Sequence, residues 1–541
     1  MKEIINSILD KILNDISLDY NSIYFLIFLA CFLGIYFLMF NNKIKEIWLL
    51  IGSLIFYCWA GWQAVLIVIF TALTVYIITM RMDSIYKKYD EESKELSPKE
   101  KNALLISYKK RTNVYKFIAM FLIFGIWIFV KVCKFNEVDS VLTFNDMFSH
   151  KGIIVPLGIS YYTLSSFGYI LDVYWRKIIP EKNPMRLFSA MIYFPHIVQG
   201  PISNYNDLIG QMKKLPAFSY DRVCSGSQLI LWGLFKKAIV ADRLVILTQT
   251  VFDYPEAYAG VEIFMAIIFG AFWMYADFSG CTDIVLGVSE IIGIRLNPNF
   301  RQPFFAEDAQ GFWARWHMSL SGWTKSYIYL PVAMNPKFMK LTKNMKKKGH
   351  ERFSSFVKAF VPLVLVWIFT GLWHGTGLDY LAWGLYWCAM MTIGKETEGI
   401  RKKAWKLVNV DFEMQGYKIW CRIRTFFVFA IGRMWTVCGS AAGFFILWQR
   451  MFSESRLWNL TNNTFFSLGL DRKDYYIAIF GILVMCLVDV LHEKGYNLRQ
   501  SISKMVLPVR WAIYFVAIFT VIIFGMYGLA VDSAAFAYGA F

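Results

Sequence analysis

A histidine closes the apolar run Phe360–Gly375, "FVPLVLVWIFTGLWHG", in which no other side chain ionises; the next ionisable group is Asp379. An imidazole titrates near 6.5 in water, and its neutral form accepts a proton. An ionisable residue in so apolar a setting is costly and is a functional candidate by default. Gly371, Gly375 and Gly377 surround His374 and let backbone or substrate come close. The plain alternative is a polar pin between two helices.

A second Trp-His pair lies in Asp308–Pro331, "DAQGFWARWHMSLSGWTKSYIYLP". Phe312, Trp313, Trp316, Leu320 and Trp323 recur at helical spacing, which predicts one amphipathic helix with an aromatic face, ended by Pro331. Arg315, His317, Ser319 and Ser321 spread over the remainder. Trp and Tyr favour the membrane interface, so His317 reads equally as an interfacial histidine bonded to a neighbour.

No G-x-S-x-G elbow, Cys-His pair, paired-carboxylate motif or metal-ligand spacing is present. A lone base in a polarisable pocket suits deprotonation of an acceptor hydroxyl, which then attacks an activated acyl group. Such help contributes about 10²–10⁴ in rate, and positioning with oxyanion stabilisation supplies the rest. Other polar groups interrupt apolar stretches. "YADFSGCTDIVLG" (Tyr275–Gly287) holds Asp277 and Asp283, and "GLFKKAIVADRL" (Gly233–Leu244) holds Lys236 and Lys237 near Asp242 and Arg243. An internal ion pair is the expected state of Asp242 with Arg243. "YFPHIVQGPI" (Tyr193–Ile202) reads as broken helix or loop, with His196 a weaker candidate.

These residues need a scaffold, and the composition says which. Of 541 residues, 57% are hydrophobic and only 18% charged, with 20 Trp, 30 Tyr and 48 Phe. Soluble chains carry about 25% charged residues, so the fold class is an all-α polytopic membrane protein. Candidate spans are Ile23–Phe40, Ile47–Ala60, Trp62–Thr79, Val114–Val130, Gly158–Tyr174, Gln228–Val240, Val261–Met274, Ile284–Ile294, Phe356–Trp373, Leu378–Ile393, Ile419–Leu447, Tyr475–Val490 and Trp511–Gly528. Several are short, so about eleven transmembrane helices are expected, with re-entrant or interfacial pieces enclosing a central pore.

Residues 1–20 place Ile4, Ile5, Ile8, Leu9, Ile12, Leu13 and Ile16 on one helical face, which predicts an amphipathic helix on the membrane surface rather than a cleaved signal. Nine scattered cysteines read as small core residues. The net charge of +17 concentrates in loops, notably Lys337–Arg352 and Lys395–Lys406. The positive-inside rule puts both in the cytoplasm, so the turn after His374 faces the other way or lies deep in the bilayer. Charge confined to loops between spans argues against nucleic-acid binding. Topology alone accounts for it, and attraction of anionic headgroups or a phosphate-bearing donor is compatible.

The stretches "VPLGISYYTLSSFGYILDVYWRK", "YFPHIVQGPI", "WGLFKKAIVADRL", "YADFSGCTDIVLGVSEIIGIRLNPNFRQPF", "FWARWHMSLSGWTKSYIYLP" and "FTGLWHGTGLDYLAWGLYW" run in order over Val155–Trp387. Together they resemble the membrane-bound O-acyltransferase superfamily, most closely its alginate O-acetyltransferase branch, with teichoic-acid D-alanyl transferases as close kin. The resemblance implies one domain over 1–541: the surface helix 1–20, a motif-bearing core 155–387 and C-terminal helices 410–541. It implies His374 as catalytic base and His317 as shaping the acyl-donor tunnel; Trp316, Trp373 and Ser319 beside them, with Asp277 and Asp283 as parts of a polar interior, are the further candidate substrate-site residues. It implies no bound cofactor and no metal. The co-substrate would be a cytoplasmic thioester such as acetyl-CoA or an acyl carrier. The acceptor would be a cell-surface polysaccharide, with an extracytoplasmic protein partner to complete transfer and the cell membrane as location. D-alanyl transfer to teichoic acid is the competing enzyme reading. A transporter or flippase, suggested by Asp277, Asp283 and His374 in apolar surroundings, is the competing class.

Overall fold

A computed structural model describes residues 20, 22–59, 62–135, 156–438, 440–453, 455–460, 466 and 468–527. The surface helix expected over 1–20, Tyr20 apart, and the closing "FAYGAF" lie outside the described residues. The described residues are helical, with no strand among them. They form two compact units, the described residues of 1–226 with 288–296, and those of 227–287 with 297–541.

The helices in chain order are α1 (Ile23–Leu38), α2 (Asn42–Trp59), α3 (Trp62–Glu92), α4 (Pro98–Phe135), α5 (Ile159–Tyr174), α6 (Pro184–Met191), α7 (Tyr205–Met212) and α8 (Tyr220–Leu234). After a π-helix, Phe235–Ala241, come α9 (Asp242–Asp253), α10 (Gly260–Ile292), α11 (Ala309–Trp313) and α12 (Met318–Thr324). A second π-helix, Lys325–Tyr329, leads into α13 (Leu330–Ala333) and α14 (Pro336–Lys347). The remainder are α15 (Glu351–His374), α16 (Leu378–Glu396), α17 (Glu398–Leu407), α18 (Gln415–Val437), α19 (Ala441–Ser453), α20 (Arg472–Glu493), α21 (Leu498–Ser503) and α22 (Leu507–Phe524).

Six of these, α3, α4, α10, α15, α20 and α22, are long and apolar enough to cross a membrane. The other apolar runs fold as helices that are shorter, interrupted or less apolar. Three sequence expectations are corrected. Val261–Met274 and Ile284–Ile294 are one helix, α10, because the carboxylates between them are ion-paired and need no loop. Ile419–Leu447 is two helices, since α18 ends at Val437 and α19 starts at Ala441. Pro331 does not end its segment. Helical backbone runs through it, from the π-helix Lys325–Tyr329 into α13.

In the first unit, buried tyrosines reach to carbonyls at irregular backbone and helix ends. Tyr20 donates to Phe194 O (2.8 Å), Tyr57 to Leu157 O (3.0 Å) and Tyr86 to Tyr174 O (2.7 Å). The first satisfies a buried acceptor, and the other two satisfy half-buried ones. Tyr193–Gly200 is a largely buried irregular turn, as Pro195 and the following Pro201 predict. Ser53 Oγ accepts from Phe194 N (3.2 Å), and His196 Nδ1 lies 2.9 Å from Tyr193 O.

In the second unit the backbones of α8 and α10 touch at two glycines. A Cβ on Gly233 would lie 2.5 Å from Gly280 O, and one on Gly280 would lie 2.9 Å from Gly233 O. That approach brings the first π-helix, with its buried Lys236 and Lys237, against α10.

Candidate active site

α15 and α16 form a tight hairpin whose turn carries His374. Its closeness again depends on missing side chains. A Cβ on Gly371 would lie 2.5 Å from Tyr380 O, and one on Gly384 would lie 2.4 Å from Trp367 O. No side chain fits between these backbones, so the glycines of "GLWHG" and "WGLYW" set the helix separation. His374 is the last residue of α15 and is 5% exposed. Its ring sits edge-on between Trp373 (4.8 Å) and Trp383 (4.9 Å).

His317 reaches the same place from a different kind of backbone. The aromatic pattern from Phe312 to Trp323 predicts one continuous helix; the structure breaks it between α11 and α12. His317 takes φ 45° and ψ 50°, the left-handed region, which costs a non-glycine residue about 1–3 kcal/mol. The segment before it explains the break. Met318 N donates to Asn299 O (3.0 Å), and Arg301 N donates to Arg315 O (2.9 Å). These bonds pull the chain out of helical register. Asn299, wholly buried, adds its side chain: Ser319 N (3.0 Å) and Ser319 Oγ (2.9 Å) both donate to Oδ1.

His317 Nδ1 lies 3.3 Å from the same oxygen. Because the Ser319 N–H can only donate, this atom is the amide oxygen, and Nδ1 is the protonated ring nitrogen. Nε2 is then the basic one. His317 lies outside the six spans, and burial holds its imidazole well below the ordinary 6.5, to about 3. Arg315 secures the segment from the other side by a forked pair to Glu493 (2.7 and 2.9 Å).

The two imidazoles face each other with ring centroids 6.4 Å apart. Around them stands an aromatic wall. Trp313 meets Trp367 edge-on at 4.8 Å and Trp387 at 5.1 Å, and Phe312 stacks on Trp387 and Trp316. A cavity of about 340 Å³ opens beside this wall. His374, Trp313, Trp316, Trp383, Met274 and Phe429 line its buried end. Two helix stripes line the rest: Val245, Thr248, Gln249, Phe252 and Asp253 on α9, and Phe429, Arg433, Thr436 and Val437 on α18. Both follow helical spacing, and both run from buried residues to accessible ones toward the C-terminal end.

Of the sequence candidates, His374, His317, Trp316 and Trp373 come together here, and Ser319 joins them through Asn299. Asp277 and Asp283 do not line the cavity. Asp277 pairs with Lys237 (2.8 Å), and Asp283 with Lys236 (2.6 Å), whose Nζ also donates to Ser279 Oγ (2.8 Å). The expected Asp242–Arg243 pair is likewise replaced. Asp242 pairs with Lys237 (2.9 Å), and Arg243 with Asp474 (2.9 Å), because sequence neighbours on a helix point about 100° apart. His196 belongs to the first unit and is not among the cavity residues. Sequence reasoning missed Asn299 and Arg433. Asn299 sits in the quoted "NPNFRQPF", and Arg433 is a charge inside the apolar run "FFVFAIGRMW". Among the described residues no group of His, Cys, Asp and Glu could hold a metal.

Residues 183–343 match the model of the membrane-bound O-acyltransferase family, MBOAT. The chain is 28% identical over 372 residues to the probable alginate O-acetylase AlgI of Pseudomonas aeruginosa, covering 68% of this chain and 64% of that one. It is 26% identical over 371 residues to the peptidoglycan O-acetyltransferase of Helicobacter pylori, covering 64% and 63%. It is 29% identical over 256 residues to the teichoic acid D-alanyltransferase of Bacillus subtilis, covering 46% and 62%. The chain thus spans just under two thirds of the length of each of these three relatives. His317 falls inside the matched family domain and His374 beyond it. The chain is a polytopic helical membrane protein whose residues 183–343 are similar to the membrane-bound O-acyltransferase family.

Proposed function

We propose that the chain is an O-acyltransferase that moves an acetyl group from a cytoplasmic thioester to hydroxyls of a cell-surface polysaccharide, with His374 as general base. One observation carries the reading: His374 ends its helix at the buried end of an aromatic cavity, 6.4 Å from the imidazole of His317. The family domain and the acetylases among the relatives support the reaction class.

In this reading the neutral His374 takes the proton of an acceptor hydroxyl as its oxygen attacks the thioester carbonyl. The tetrahedral intermediate collapses with cleavage of the C–S bond, and the proton passes from His374 to the leaving thiolate. The aromatic wall excludes water, which would otherwise hydrolyse the donor. His317 keeps Nδ1 on Asn299 and turns Nε2 to the donor end of the site. Donor entry from the cytoplasmic side is supported by the positive-inside rule, since the basic stretches Lys337–Arg352 and Lys395–Lys406, which fold largely as α14 and α17 rather than as the loops expected from sequence, flank the hairpin.

The test is the ester content of the cell envelope in strains making the wild type and His374→Ala. Acetate released by mild base should fall about 10²–10⁴-fold in the variant, with the protein still inserted. Unchanged acetate would overturn the base assignment. Loss of D-alanine in place of acetate would transfer the same site to D-alanyl transfer, the activity named for the Bacillus relative.

A further inference from the structure

The catalytic reading gives α17 no task. This helix leaves the end of the α15–α16 hairpin opposite the His374 turn, with Thr397 alone between it and α16. Arg401 Nη2 donates to Gly394 O (2.6 Å), which ties the first turn of α17 to the last turn of α16. The start of α15 is level with that end of the hairpin, since Arg352 and Glu396 lie 4.0 Å apart. α15 is a membrane span, so α17 begins at headgroup depth.

At about 100° per residue α17 presents three faces. Arg401 and Trp405 are half-buried and form the inner one, where Trp405 meets Tyr417 edge-on at 5.9 Å. Ile400, Ala404 and Leu407 fall within about 60° of one another on a second face. All three are exposed, Ile400 by 68% and Leu407 by 85%. Lys402, Lys403 and Lys406, also exposed, make the third face. Glu398 pairs with Lys402 (2.6 Å), and among the described residues Lys403 and Lys406 have no acidic partner.

A single exposed apolar residue needs no explanation. An apolar stripe beside an unneutralised basic one, at headgroup depth, does. An acidic protein surface would cover the lysines and leave Ile400 and Leu407 in water. An apolar protein groove would cover the stripe and leave the lysines without counter-charge. A bilayer surface takes both: the stripe enters the acyl boundary while the lysine stems lie along it and lift their ammonium groups to phosphate.

We propose that α17 is an interfacial helix seated on the anionic headgroups of the leaflet that surrounds the open end of the α15–α16 hairpin. Lys340, Lys343 and Lys347, exposed on α14 just before α15, add to the positive field on the same side. Zwitterionic lipid supplies the apolar boundary but no net charge, so anionic lipid is preferred, by about fivefold for each lysine near the surface. The seat involves neither acyl donor nor acceptor, and it stands whatever reaction His374 performs.

The test is amide hydrogen exchange, read by mass spectrometry, on the full chain in two kinds of nanodisc: phosphatidylcholine alone, and phosphatidylcholine with phosphatidylglycerol. Amides of residues 398–408 should exchange at least about fivefold more slowly in the anionic discs, while those of α10 exchange equally in both. Replacing the three lysines together (Lys402→Gln, Lys403→Gln and Lys406→Gln) should erase the difference and keep the rate found in uncharged discs. Leu407→Asn should speed exchange in both kinds of disc. Equal wild-type rates in the two discs, or a difference that survives the triple substitution, would overturn the anionic seat. A Leu407→Asn variant that exchanges like wild type would overturn the interfacial one. Fast exchange in both discs that slows only when an acidic carrier protein is added would overturn the proposal in favour of a protein partner. If the triple variant does not insert, wild type from about 50 to about 500 mM salt decides: a difference that does not shrink with screening overturns the anionic seat.

Discussion

Asn299→Ala isolates what holds His317 in place. One amide oxygen receives Ser319 N at 3.0 Å and Ser319 Oγ at 2.9 Å and faces His317 Nδ1 at 3.3 Å. At about 1 kcal/mol net per bond, the truncation removes about 3 kcal/mol. It also removes the restraint on a residue whose left-handed backbone stores about 1–3 kcal/mol. That strain is released if His317 relaxes toward ordinary backbone, and the ring then moves by its own width. A misplacement of about 1 Å in a reacting constellation costs on the order of 10²-fold in rate. The expected result is a lower unfolding midpoint in detergent together with an ester level reduced about 10²-fold. Asn299→Asp separates the two effects. It keeps an acceptor for Ser319 but sets a carboxylate beside Nδ1, which raises the imidazole pKa and brings a new ionisation into the activity profile below pH 7. An Asn299→Ala variant that melts and esterifies like wild type would refute the argument. So would an Asn299→Asp variant whose pH profile matches wild type.

Gly371→Ala puts a Cβ 2.5 Å from Tyr380 O, a backbone atom that cannot swing away, so the α15–α16 hairpin must open and ester formation should fall below a tenth of wild type. Gly394→Ala, on the same hairpin with nothing within 4 Å of the new Cβ, is the control and should match wild type in an envelope ester assay. Burial also gives His317 a pH signature. Its ordinary pKa is 6.5 and its folded pKa about 3, so between these values the unfolded chain binds the extra proton and stability rises with pH. At pH 4.5 this contributes about 2–3 kcal/mol of destabilisation relative to neutral pH. His317→Gln should therefore show a shallower decline in unfolding midpoint from pH 7 to 4.5, and parallel curves would refute the neutral buried imidazole.

The helical membrane class was legible because it depends on composition, and His374 because an ionisable group at the end of a long apolar run has few bland explanations. The shared glycines were legible as a local cluster, though not as the contact between Gly371 and Tyr380 O that they permit. What sequence could not show was long-range. The helical period through Phe312, Trp316, Leu320 and Trp323 is real, yet bonds from Asn299 and Arg301 break the helix at His317. Asp242 and Arg243 are adjacent in sequence, but each finds its counter-charge on other residues, Lys237 and Asp474. Asp277 and Asp283 looked like substrate ligands because they are carboxylates among apolar residues. Two lysines some 40 positions earlier, Lys236 and Lys237, account for both. Arg433 was overlooked because its meaning depends on Trp273, which the chain supplies from another helix.

The lysine–aspartate pairs have a consequence for how the chain is made. Presented alone to a bilayer, α10 would carry Asp277 and Asp283 into hydrocarbon, and the preceding segment would carry Lys236 and Lys237. On the insertion scale each such charge costs about 2.5–3.5 kcal/mol at mid-membrane. Neither segment is a good spanning element by itself, whereas the pair is neutral and its backbones can close on Gly233 and Gly280. Lys237 has Asp242 five residues on, but the order of synthesis makes Lys236 wait for Asp283. The insertion machinery must therefore shelter the lysine segment until some forty further residues have emerged, and release the two together.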